Sequence, residues 1–136
     1  MERLYVRDGV EVALITVELW SGAVIVRLAG LPSEQSERLE QSYISALDEW
    51  GRAVREGRPH EDRPPDQPAE RLFDVELTLS DDLATSYESR SRSSGGSGQL
   101  LRADWTFEPG PPESISTLTI AVAGEGIDKT LLNVTV

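Results

Sequence analysis

The 136-residue chain predicts a mainly β fold: an antiparallel β-sandwich of about seven or eight short strands, with one amphipathic helix inserted near residues 34–56. Three observations carry this. Apolar and polar residues alternate at period two along most of the chain, as a strand with one wet face requires. Turn signals separate these runs at short intervals. Over a single window the apolar period changes to three or four. With only one helix among the strands, a parallel α/β arrangement is disfavoured, and of the two closed β architectures the sandwich is preferred to the barrel.

The first strand signal is Leu4-Tyr5-Val6, followed by the turn pair Asp8-Gly9 and the run Val10 to Trp20. Val10 and Val12 share one phase of the alternation, whereas Ile15, Val17 and Leu19 share the other. A bulge in mid-strand, or burial on both faces, accounts for such a shift. Ser21-Gly22 then links this run to Ala23–Ala29, a hairpin signal. From Glu34 to Glu56 the large apolar residues Leu39, Tyr43, Leu47, Trp50 and Val54 are spaced four, four, three and four apart, the stripe of an amphipathic helix. Ser33 is its expected cap, Glu34 and Glu37 suit the positive end of its dipole, and Gly57 can close it.

Residues 57–70 hold four prolines and read as an exposed connector, because proline removes a backbone donor from helix and sheet alike. Strand logic resumes at Leu72, with Phe73, Val75, Leu77 and Leu79 on one face. Asp81-Asp82 makes a turn; Leu83, Thr85 and Tyr87 begin a weaker strand that gives way to a Ser/Gly loop over 91–98. Leu101, Ala103, Trp105 and Phe107 form the next strand, ended by Pro109-Gly110-Pro111-Pro112. Leu118, Ile120 and Val122, then Leu132, Val134 and Val136, supply the last two. The whole chain, 1–136, is expected to be one domain.

Leu79–Tyr87, with its Asp81-Asp82 turn, then Gly95-Gly96-Ser97-Gly98 and Trp105-Thr106-Phe107-Glu108-Pro109, resemble the immunoglobulin-like β-sandwich domains of uncharacterised bacterial proteins. The resemblance spans roughly residues 70–123 and excludes the helix and the connector. It implies an immunoglobulin-like sandwich and transfers no catalytic or ligand residue.

Composition removes several functions. With no cysteine there are no disulfides, thiolate metal sites or cysteine nucleophiles. A net charge of −11, distributed along the whole chain, repels polyanions, so neither nucleic acid nor an anionic membrane is an expected partner. The first residues lack the pattern of a secretory signal and no apolar run approaches a membrane span, which makes a cytoplasmic location the expectation.

His60 is the only histidine and lies in the connector, where a catalytic group would not be held in place. No serine stands in a Gly-x-Ser-x-Gly elbow. With no nucleophile–base pair legible, the chain reads as a non-enzyme without a cofactor. Two readings remain. The first is a protein-interaction or structural module whose partner is another protein or a second copy, using Tyr43, Leu47 and Trp50 on the helix stripe; aromatic residues are enriched at interface hot spots. Against it stands the simpler expectation that the stripe covers an open edge of the sandwich. The second is a small-ligand or Ca²⁺-binding sandwich using Asp81 and Asp82, with Asp74, Glu76 and Asp104 as further oxygen donors. Against that, Asp-Asp is also ordinary turn chemistry.

Overall fold

The computed structural model describes residues 1–97 and 100–136. Strands β1 (Glu2–Arg7), β2 (Val10–Leu19) and β3 (Val24–Gly30) form an antiparallel meander. Helices α1 (Glu34–Glu56) and α2 (Pro68–Leu72) follow, then β4 (Glu76–Asp81), β5 (Glu88–Ser97), β6 (Leu100–Glu108), β7 (Thr117–Gly124) and β8 (Ile127–Thr135). The strands make two antiparallel sheets, one of order β1-β2-β3-β6-β5 and the other β4-β7-β8. The alternation seen in the sequence explains why the two pack. Val24, Val26 and Leu28 of β3 and Leu101, Ala103, Trp105 and Phe107 of β6 point inward, as do Leu77 and Leu79 of β4 and Leu118, Ile120 and Val122 of β7, and together they form one buried core. The Phe73 and Trp105 rings meet edge-to-face at 6.4 Å inside it.

The change of phase in β2 is a bulge. Leu14 pairs with Leu28 and Thr16 with Arg27, so Ile15 is the extra residue and is turned out to solvent. The β2–β3 hairpin closes through the Trp20 N–H donating to the Ala23 carbonyl at 2.8 Å. Trp20 is exposed and Trp105 buried, as their positions in the pattern imply.

Three expectations are corrected. Strand structure does not begin at Leu72: residues 68–72 form α2, with Pro68 in its first turn, where proline's fixed φ is already helical and its missing N–H costs nothing. The connector therefore ends at Gln67. The Ser/Gly segment is not a loop, since β5 runs as far as Ser97 and pairs with β6 from Glu88↔Glu108 to Ser97↔Leu100; Gly98 lies outside the described residues. Because β5 is an edge strand and nearly all of it is exposed, it shows no apolar alternation, and β6 supplies the template. Finally, α1 does not lie over the sandwich. Of its stripe only Leu39 packs against the core, and its main helical neighbour is the short α2.

The segment between β3 and β4 is the crossing from the five-stranded sheet to the three-stranded one, and α1, the connector and α2 all sit within it. Its return end is tied down firmly. The buried Tyr5 hydroxyl donates to the Leu72 carbonyl at 2.8 Å, and burial raises its pKa well above the ordinary tyrosine value, against the pull of Arg7 and Arg92. Arg7 donates to the carbonyls of Arg71, Asp74 and Glu125, joining the end of α2 to the β7–β8 turn. Along the β1–β8 seam, Thr130 Oγ1 donates to the Leu4 carbonyl at 2.9 Å.

Candidate functional site

Helix α1 begins at a reciprocal capping box. The Ser36 N–H donates to Ser33 Oγ at 3.1 Å, and the Ser33 N–H to Ser36 Oγ at 2.8 Å. It ends at Gly57, whose φ of 69° suits a residue without a side chain. With 23 residues it is about 35 Å long, yet only Ser36 and Ala53 are buried along it. A helix of this length held by so little packing is an arm standing on the sandwich.

The arm has two apolar sides. On one, the connector runs back along the helix. The Trp50 indole N–H donates to the Glu61 carbonyl at 2.9 Å, and the His60 ring stands edge-on to Trp50 at 6.3 Å. Ala46, Glu49, Trp50 and Ala53 line a groove of about 660 Å³ together with residues 59–66. Arg58 fastens the base of this strap through Glu49 and Glu56. The other side carries Ile44, Leu47, Gly51 and Val54, spaced three, four and three apart, and none of these four lines the groove. Ile44 is 48% exposed and Val54 42%; Leu47 is half-buried.

The three stripe residues expected to form an interaction surface are thus divided. Trp50 is engaged by the strap; Tyr43 and Leu47, both half-buried, do not line its groove. Ile44 and Gly51 escaped the sequence reading. Their signal was the regular three–four–three spacing with Leu47 and Val54, which the larger aromatic residues of the stripe obscured.

The acidic corner at the end of β4 has a different character. Asp81 Oδ1 accepts the N–H groups of Leu83 (2.9 Å) and Thr85 (3.0 Å), and its Oδ2 accepts the Tyr87 hydroxyl (2.8 Å). Burial alone would raise the Asp81 pKa, but the hydrogen bonds from Thr85, Tyr87 and Leu83 outweigh it and hold the carboxyl at about 2. Tyr87 is pushed up to about 12 by burial and by its bond to Asp81. Asp82 Oδ1 accepts from the backbone of Ser116 (2.9 Å) and Thr117 (3.1 Å), which lowers its pKa and clips the turn to the start of β7. Asp104 is bonded by Arg27 in the five-stranded sheet, and Asp74 and Glu76 lie at the opposite end of β4 from Asp81. Among the described residues no three His, Asp or Glu side chains gather as metal ligands would.

His60 is exposed in the connector, its Nδ1 2.7 Å from the Glu61 carbonyl oxygen. Among the described residues no helix is long and apolar enough to cross a membrane. Comparison with protein-family models, with curated proteins and with solved structures finds no match to this chain.

Proposed function

We propose that this protein is a non-enzymatic interaction module, an immunoglobulin-like sandwich that presents α1 to a protein partner. The observation that carries this reading is the open side of α1: Ile44 and Val54 are exposed beside a half-buried Leu47, on a helix that packs only Leu39 against the core of the sandwich. Helices recognise partners through such faces, with anchors at i, i+3, i+7 and i+10. The immunoglobulin-like part of the proposal is supported by connectivity. With β1 set aside, the order β2-β3-β6-β5 against β4-β7-β8 reproduces that of a seven-stranded constant-type domain. The buried tryptophan stands on β6, however, not on the strand equivalent to β4, and there is no inter-sheet disulfide.

The carboxylates near Asp81 fit this reading as architecture, since their oxygens already accept hydrogen bonds within the turn. Tagged protein incubated with lysate of its native cell should capture a partner, and Ile44→Glu should abolish the capture without lowering Tm. Capture that persists unchanged in a folded Ile44→Glu protein would remove α1 as the docking element.

A further inference from the structure

We infer that the far half of α1 and the connector form a clasp, which closes and opens as one unit while the sandwich stays folded. The first ground is where α1 is held. Its opening turns meet the sandwich: Gln35 lies against Gly9, Ser36 is buried and Leu39 packs on the core. Among the described residues no side chain of α1 beyond Leu39 joins that core. Helices in proteins draw most of their stability from a packed face, so the far half needs another support.

The connector supplies it, which is the second ground. Gly57 turns the chain back in the left-handed region, so that the Arg58 N–H donates to the Ala53 carbonyl at 2.9 Å and the Gly57 N–H to that of Val54 at 3.4 Å. These bonds satisfy carbonyls that a helix end otherwise leaves without donors. The Arg58 guanidinium reaches Glu49 at 2.9 Å and Glu56 at 2.7 Å. Farther along, the Glu61 carbonyl accepts the Trp50 indole N–H, and Pro64 and Pro65 continue the wall of the groove. Ala53 is 4% exposed although it is no part of the sandwich core; it lies in this groove. With Trp50 and Pro65, both half-buried, it gives the far half of α1 a small apolar centre of its own.

The third ground is nearness in sequence. These contacts all join residues between Glu49 and Asp66, and none passes through a strand of the sandwich. A short loop costs little entropy to close. Pro59, Pro64 and Pro65 restrict the open chain as well, so less freedom is lost on closing. Opening would release Trp50 and Ala53 together and uncap the helix, and the far half of α1 would fray with them. The clasp thereby sets how much of the arm is ordered. None of its contacts involves the Ile44 side chain, so it stands or falls apart from the interaction reading.

The measurement is amide hydrogen exchange of the full chain under native conditions, followed residue by residue. The amides of Leu47 to Arg58 are expected to share one opening, easier than that of β3 and β6. Trp50→Ala should speed exchange across this whole block by about tenfold or more, with β3, β6 and Tm unchanged. Arg58→Gln, an exposed change at the base of the strap, should speed the same block by a smaller common factor, the amides around Trp50 included. A contact of merely local effect would not give that common factor. Exchange of the block only together with β3 and β6 overturns the proposal, as does a block without protection in the native chain. So does a turn-by-turn response, in which each substitution speeds only its own neighbours. If Trp50→Ala unfolds the sandwich, the clasp is not separate from it and the proposal falls.

Discussion

Two tyrosine hydroxyls tie the chain to itself, one across 67 residues and one within a turn of six. Tyr5 is buried, and its hydroxyl is bonded to the Leu72 carbonyl across the crossing between the sheets. Tyr5→Phe should cost about 1–2 kcal/mol in urea denaturation, the worth of a buried hydrogen bond whose acceptor is then left short of a donor; an unchanged midpoint would mean that Leu72 finds a donor elsewhere. Tyr87 and Asp81 give a pH dependence of definite sign. Asp81 is held at about 2, below its ordinary 3.8, so its contribution is present above pH 4 and is lost as the pH falls toward 2. Tyr87 is raised from 10 to about 12, so its contribution is present below pH 10 and lost as the pH rises toward 12. Thermal unfolding followed across both windows should show Asp81→Asn with a flatter acid limb than the native chain, and Tyr87→Phe with a flatter alkaline one. Equal slopes would separate these groups from the linkage. Millimolar Ca²⁺ should leave Tm unchanged, since binding would have to displace the Leu83, Thr85 and Tyr87 donors from Asp81; a rise in Tm reversed by chelator would restore the calcium reading.

Among the elements, α1 was the most legible and β5 the least. The cap at Ser33, the stop at Gly57 and the stripe between them all act within a few residues, and local rules describe them well. Ser33→Ala removes one half of the capping box and should cost about 1 kcal/mol of helix stability. The effect should appear as faster amide exchange at the start of α1, with little change in global Tm, because so little of the helix is buried; a large fall in Tm would mean that the arm carries the fold. For β5 the composition misled. Serine and glycine signal a loop in isolation, yet an edge strand needs only backbone pairing on one side, which β6 provides. Helix α2 was missed for a related reason, since five residues are too few to display a period, and they are held by Tyr5, Arg7 and the packing of Leu72 against Gly30.

For the molecule as a whole, the sandwich and the arm are two parts with unequal duties. Replacing residues 34–67 by a short Gly/Ser linker should leave a cooperatively unfolding sandwich with nearly the native Tm, because that segment contributes chiefly Leu39, Ser36 and Ala53 to buried packing. Loss of cooperative unfolding would show instead that the arm is integral to the core. If the sandwich survives, α1 was retained for something other than folding, which is the sense in which its open face supports an interaction role.

What the sequence determined by itself was the part governed by local chemistry: the period-two strands, the hairpin at Ser21-Gly22, the phase change in β2 that a bulge or two-faced burial could explain, and the caps and stripe of α1. The one-faced alternation fits a sandwich and a barrel alike, and only the pairing of the strands into two sheets decides between them. Only the tertiary structure decided which strands share a sheet, since Val26 finds Trp105 through a long-range pairing that no local pattern records. It likewise decided which side of α1 is covered. A helical stripe states that a face is apolar, and what lies against that face depends on where the chain returns. Here the connector returns over Trp50 and leaves Ile44 and Val54 exposed.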